Sequence, residues 1–232
     1  MTFAQTASEV ITKSEEKMRG STLQGILVLK TIRPSWSREM KVNIWMKGDD
    51  YAMIRVQSPE KDKGITFLKR SKELWNWIPA IDKTIKLPPS MMSQSWMGTD
   101  FSNDYLVKES SLIIDFDATF GSDSVIDGRE CWKVILTPKE LAAVVWGKVI
   151  LFIDKSGYLQ LLGEYFDEDG ELINSVRGSN IQKMGGRFIP TVFEMIPNDK
   201  PGNKTVLTYT SVTFDLIIDD AFFTIQNMKQ LQ

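Results

Sequence analysis

Apolar and polar residues alternate along most of this chain, with the period of two that sends successive side chains to opposite faces of a β-strand. In residues 40–46, Met40, Val42, Ile44 and Met46 alternate with Lys41 and Asn43, while Trp45 joins the second face. The pattern predicts strands over 22–32, 40–46, 51–57, 64–70 and 73–78. It predicts more over 112–119, 129–137, 147–154, 158–166, 171–181, 187–196 and 204–214. Gly48-Asp49, Ser71-Lys72, Asp127-Gly128, Ser156-Gly157, Asp169-Gly170 and Gly185-Gly186 stand between them and suit hairpin turns. Residues 6–19 read as a helix, with Thr6 or Ser8 as cap, Val10, Ile11 and Met18 as apolar positions in a narrow stripe, and Gly20 as the stop.

Many of these strands are apolar on both faces. In 22–32, Leu23, Leu27 and Leu29 share one face, and Ile26, Val28 and Ile32 share the other. Antiparallel sheets often leave one face wet, so here something must cover each. Curvature can close one face on itself; helices or loops must cover the other. The available covers are 6–19, the run 87–98, residues 102–107 and the C-terminal 219–231. The expected fold is therefore mainly β within the α+β class: a large curved antiparallel sheet forming an incomplete barrel. An N-terminal helix and short helical or loop lids should cover it. No shift in composition divides the chain, so residues 1–232 read as a single domain.

The run Leu87-Pro88-Pro89-Ser90-Met91-Met92-Ser93-Gln94-Ser95-Trp96-Met97-Gly98 fits neither a strand nor a long helix. Proline fixes its own backbone angle and biases its predecessor away from helix, so the run should open extended. Three Met and one Trp then crowd residues 91–97. Methionine adapts to several apolar shapes, and a loop this greasy must lie on something greasy. It covers either ordinary core or a site where an apolar ligand comes and goes.

Composition narrows the function. The chain has 232 residues, 42% hydrophobic and 25% charged, with a net charge of −2, so a broad basic surface for nucleic acid is not expected. No stretch approaches the roughly 18 consecutive apolar residues of a membrane span. There is no histidine. That removes Ser-His-Asp and Cys-His catalysis, His-ligated zinc and the usual base near neutral pH. Cys131 is the only cysteine, beside Trp132 in an apolar strand pattern, and reads as a buried inert thiol. A binding role is favoured over an enzymatic one, with no metal or cofactor expected.

Asp167-Glu168-Asp169-Gly170-Glu171 has a faint calcium-loop flavour but lacks the full ligand spacing and is flanked by strands. A solvated hairpin turn accounts for it. Arg33-Pro34-Ser35-Trp36-Ser37-Arg38 joins the first two long strands. Its Trp either stacks on an Arg at the sheet rim or belongs to a docking loop at a cavity mouth.

The chain resembles the LolA-like family of outer-membrane lipoprotein-sorting proteins. The resemblance rests on Glu16-Lys17-Met18-Arg19-Gly20, the Arg33–Arg38 connection, Asp62-Lys63-Gly64 and Leu74-Trp75-Asn76-Trp77-Ile78-Pro79. It extends through the Leu87–Gly98 run, Val145-Trp146-Gly147-Lys148, Asp167–Gly170 and Phe222-Phe223-Thr224-Ile225-Gln226-Asn227-Met228. It implies a half-barrel closed by lids, a periplasmic location and a removed signal peptide. It also implies an apolar cavity that holds the acyl chains of lipoproteins or lipids for transport towards the outer membrane. Partners would be an inner-membrane transporter and an outer-membrane acceptor, and the carrier would act as a monomer. Trp45, Trp75, Trp77, Met91, Met92, Trp96, Met97 and Phe101 are the candidate cavity or lid residues. The competing reading is a non-enzymatic envelope sensor or transporter-associated adaptor that binds a protein partner, since one fold serves many functions.

Overall fold

The computed structural model describes residues 5–103, 105, 112–140, 142 and 144–231. A single antiparallel sheet of 14 strands organises them. β1 (Thr22–Arg33), β2 (Trp36–Lys47), β3 (Tyr51–Ser58), β4 (Thr66–Arg70), β5 (Glu73–Ile78) and β6 (Lys83–Lys86) step outward to one edge. The chain then crosses to the opposite edge. There β7 (Phe116–Phe120) and β8 (Ser124–Ile126) both pair with β9 (Arg129–Pro138). β10 (Lys148–Asp154), β11 (Gln160–Phe166), β12 (Leu172–Met184), β13 (Arg187–Pro197) and β14 (Lys204–Phe214) step back towards the centre. β14 finally pairs with β1.

This order leaves β6 and β7 as the two edges, so the curved sheet does not close into a barrel. It also fixes the path of the chain between them. The connection from Lys86 to Phe116 joins opposite edges of one curved sheet. β6 is only four residues long and carries Lys83 and Lys86, a short charged edge that discourages pairing with another chain.

α1 (Ala7–Arg19) is the other large cover. Thr6 caps it reciprocally with Glu9: the Glu9 amide donates to Thr6 Oγ1 at 3.2 Å, and the Thr6 amide donates to Glu9 Oε2 at 2.8 Å. Gly20, at φ 62°, ends the helix and donates its amide to the Glu16 carbonyl at 2.9 Å. Ala7, Val10, Ile11 and Ser14 are buried against the sheet.

Sequence periodicity located the long strands and missed the shortest pieces. β6 and β8 span four and three residues, too few for alternation to register. The strand expected over 112–119 opens instead as a helical turn, α2 (Leu112–Asp115), and becomes extended only at Phe116. Leu112-Ile113-Ile114 is a short apolar run with no alternation, which suits either state. The 33–38 connection is shorter than a loop: Arg33 pairs with Trp36 in a hairpin around Pro34-Ser35. The run 87–98 contains two short 3-10 turns, Pro89–Met91 and Trp96–Gly98, in an otherwise irregular path. Of the cover expected at 102–107, residues 104, 106 and 107 lie outside the described residues.

Candidate functional site

The sheet's alternation gives it two apolar faces with different fates. On the concave face, Leu23, Leu27 and Leu29 of β1, Val42, Ile44 and Met46 of β2, and Ala52 and Ile54 of β3 surround a cavity of about 160 Å³. Val176, Phe193, Leu207 and Tyr209 continue the wall through β12, β13 and β14. Trp96, Phe101, Tyr105 and Leu112 of the edge-to-edge connection line it, as do Ser14, Glu15, Met18 and Arg19 of α1. The space is close in size to the roughly 150 Å³ of an engineered cavity that takes benzene-sized ligands. Met18, Phe193, Leu207 and Tyr209 are only partly buried, unlike Leu23, Leu27 and Leu29.

The Trp96 loop is cross-linked by its own hydrogen bonds. The Trp96 amide donates to the Phe101 carbonyl at 2.7 Å, and the Trp96 carbonyl accepts from Thr99 Oγ1 at 2.7 Å and the Thr99 amide at 3.0 Å. Met97 and Gly98, at φ 52° and 76°, make the tight turn. Glycine adopts such angles freely, whereas methionine does so at a cost that the surrounding bonds must offset. The ring of Trp96 meets Phe67 edge-on at 5.5 Å, and Phe101 meets Tyr105 at 5.0 Å.

Polar contacts at the sheet rim hold this loop down. Arg33 Nη1 donates to Asp100 Oδ2 at 3.0 Å, and Arg33 Nη2 donates to the Gly98 carbonyl at 3.3 Å. Arg38 Nη1 donates to the Met97 carbonyl at 3.3 Å, and its other nitrogen is ion-paired with Asp62. Thr205 Oγ1 donates to Asp100 Oδ2 at 2.7 Å and accepts from the Asp100 amide at 2.9 Å. Arg33 also lies over the half-exposed Trp36 ring, 5.7 Å from its centre, the rim stacking that the sequence offered as one explanation of that Trp.

The candidate residues divide between the two faces. Trp96 and Phe101 line the cavity. Met92 and Met97 pack against the same core, and the Met91 carbonyl accepts from Asn103 Nδ2 at 3.0 Å within the connection. Trp45, Trp75 and Trp77 lie on the convex face with Met53 and Leu68. There the C-terminal segment covers them: Phe222, Phe223 and Met228 of the turn before and within α3 (Ile225–Gln230) pack on them. Trp45 meets Phe222 at 5.5 Å, and Lys229 sits 4.8 Å from the Trp77 ring centre.

The sequence reading missed the α1 contribution of Glu15 and Arg19, the β13–β14 wall and the clamp on Asp100. Leu207 and Tyr209 did stand on one face of a predicted strand, a usable signal. Nothing local marked Asp100 as the partner of Arg33, 67 positions away. Among the described residues no group of three or more His, Cys, Asp or Glu side chains could hold a metal ion. No described helix is long and apolar enough to cross a membrane.

An open antiparallel half-barrel with an apolar cavity under a helix and a clamped loop defines a LolA-like fold. A LolA superfamily protein, NE2245 from Nitrosomonas europaea, superposes with a TM-score of 0.82 at 21% identity, covering 96% of this chain and 99% of that one. A Vibrio parahaemolyticus structure described as an outer membrane lipoprotein-sorting protein domain gives 0.82 at 16% identity, covering 95% and 97%. A DUF1329 family protein from Desulfovibrio piger gives 0.87 at 18% identity, covering 96% and 97%. No curated protein matches the sequence. A family model described as "Uncharacterized protein" matches residues 48–230, and the chain belongs to that family.

Proposed function

We propose that the chain is a periplasmic carrier that shelters acyl chains of lipoproteins or lipids in the concave cavity on their way to the outer membrane. It acts by binding rather than catalysis, as a single unit, receiving cargo from an inner-membrane donor and yielding it to an outer-membrane acceptor. Met91, Met92, Trp96, Met97 and Phe101 form the movable cover. The observation that carries this reading is the described stretch 87–103 of the edge-to-edge connection: it lines the cavity through Trp96 and Phe101 outside the strands of the sheet, so it can lift while the sheet stays intact.

Magnitudes favour such a cycle. Burying a chain of about ten carbons is worth on the order of 8 kcal/mol. The rim contacts made by Arg33, Arg38 and Asp100 are hydrogen bonds to charged groups, worth about 1.5–3 kcal/mol net each. Cargo entering the cavity can therefore offset the loss of two or three of those contacts and still bind. The space of about 160 Å³ holds part of a long acyl chain, and movement of the cover would admit more of it.

The fold likeness to a LolA superfamily protein and to a domain described as sorting outer membrane lipoproteins supports the same reading. The test is native mass spectrometry and lipid extraction on protein purified without detergent, with displacement of a fluorescent apolar probe as a second readout. Co-purified acyl lipid and probe displacement are expected. Absence of both would overturn the proposal.

A further inference from the structure

The methionines of this chain differ in exposure according to the element that carries them. Met40, Met53, Met195 and Met228, on three strands and α3, are at most 3% exposed. Met91, Met92 and Met97 of the cover are partly exposed, and Ser90, Ser93, Gln94 and Ser95 beside them are exposed. Met92 and Met97 nevertheless pack against the apolar core. Both therefore meet solvent at the place where the cover lies on hydrocarbon. Leucine would supply a similar apolar volume there with no reactive sulfur.

We propose that Met91, Met92 and Met97 form a modification site at which a peroxide oxidant loosens the cover. The sulfur lone pair attacks one peroxide oxygen, the O–O bond breaks and an S=O bond forms. The proton on the transferred oxygen passes to the departing hydroxide, which leaves as water. The thioether is oxidised and the peroxide reduced. The sulfoxide is polar and needs hydrogen bonds that the apolar core does not offer, so the oxidised side chains turn to water and the cover lifts. Methionine sulfoxide reductases reverse the step: two thiols become a disulfide, and the oxygen leaves as water. The site follows from exposure and chain position, and its effect on ligand rests on the carrier reading.

The experiment treats wild-type protein with dilute hydrogen peroxide, removes the excess with catalase and maps sulfoxides by peptide mass spectrometry. Met91, Met92 and Met97 are expected to oxidise before Met40, Met53, Met195 and Met228. Affinity for the neutral probe N-phenyl-1-naphthylamine is then compared with that of the same protein before treatment. A loss on the order of tenfold is expected, the size set by one polar group left without a partner in apolar surroundings. Sulfoxide reductases with dithiothreitol should restore the affinity. The triple variant Met91→Leu, Met92→Leu, Met97→Leu, compared with its own untreated sample, should lose little on oxidation. Met184→Leu removes a partly exposed methionine of β12, outside the cover, and should lose as much as wild type.

Met18 and Met46, partly buried in the cavity wall, remain in the triple variant, so a full loss that persists there assigns the effect to them and overturns the proposal. Resistance in Met184→Leu, unchanged affinity of oxidised wild type, or sulfoxide in the buried methionines as early as in the cover overturns it too. The map and the reductase arm use wild type alone, so they decide the question even where the triple variant does not fold. Failure of untreated wild type to bind the probe overturns the carrier reading instead, and the map then decides whether the modification site exists.

Discussion

Arg33 and Asp100 form an ion pair between the rim of β1 and the cover, with Nη1 3.0 Å from Oδ2 and side chains only 15% and 7% exposed. Asp100 also accepts from Thr205 Oγ1, so one carboxylate joins the cover to two central strands. Removing it strands a largely buried guanidinium. Asp100→Ala should cost about 2–4 kcal/mol in chemical denaturation, the range for breaking one side of a buried pair. The same variant should release a cavity-bound apolar probe faster than wild type in stopped-flow measurements. A stability loss with unchanged release would mean that the clamp does not govern access.

Leu207 lies on β14 in the cavity wall and is only partly buried. An enlarged side chain there projects into the space with little disturbance to the core. Leu207→Trp should exclude about two methylenes of ligand, roughly 1.6 kcal/mol and about a tenfold loss of affinity. Its melting temperature should stay near that of wild type. Probe titration and a thermal melt check both halves of this expectation.

The two faces also explain how far the sequence could be read. Alternation in 40–46 separates Met46 from Trp45 without ambiguity, and the structure keeps them on opposite faces. Alternation does not say which face is concave. Trp45, Trp75 and Trp77 look like cavity residues by chemistry, yet their face is the one that the C-terminal segment covers. That cover comes from about 150 residues away along the chain, so no local pattern announces it. Trp96 and Phe101 could be placed because they sit in a segment with no strand pattern of its own. The clamp by Arg33 and Thr205 depends on β14 returning beside β1, a pairing fixed by topology rather than by neighbouring residues.

The convex face makes a prediction that separates stability from binding. Phe223 is fully buried there, stacked on Tyr51 at 5.2 Å and packed with Met53, Leu68 and Trp77. Phe223→Ala should destabilise the fold by about 3–5 kcal/mol, as deletion of a buried aromatic ring does. Probe affinity at a temperature where the variant remains folded should match wild type, because the sheet lies between Phe223 and the cavity. Denaturation and probe titration on the same sample decide it.

Cys131 is fully buried, and burial pushes its thiol above the ordinary value. The thiolate is the reactive form, so at neutral pH the native protein should react with a thiol reagent only as fast as it opens. Adding denaturant should expose one reactive thiol per chain. Rapid stoichiometric labelling of native protein would contradict this placement.

Asp215 ties three parts of the chain together at the end of α1. The Ser21 amide donates to its Oδ1 at 2.8 Å, Ser21 Oγ lies at 3.1 Å, and Arg187 pairs with the other oxygen. The Ser21 amide bond, helped by the Ser21 hydroxyl and the Arg187 charge, holds the carboxyl below its usual value, against some desolvation. A carboxyl with a lower pKa in the folded than in the unfolded chain stabilises the fold above the unfolded value of about 3.9. That contribution is lost as pH falls through the folded value. Asp215→Asn keeps a residue that tolerates the positive φ of 58° at this position while removing the charge. The variant should therefore unfold at lower urea than wild type at neutral pH, and the two midpoints should converge as the solution is acidified below the carboxylate range. A gap that stays constant down to acid pH would assign the effect to packing instead of the carboxylate.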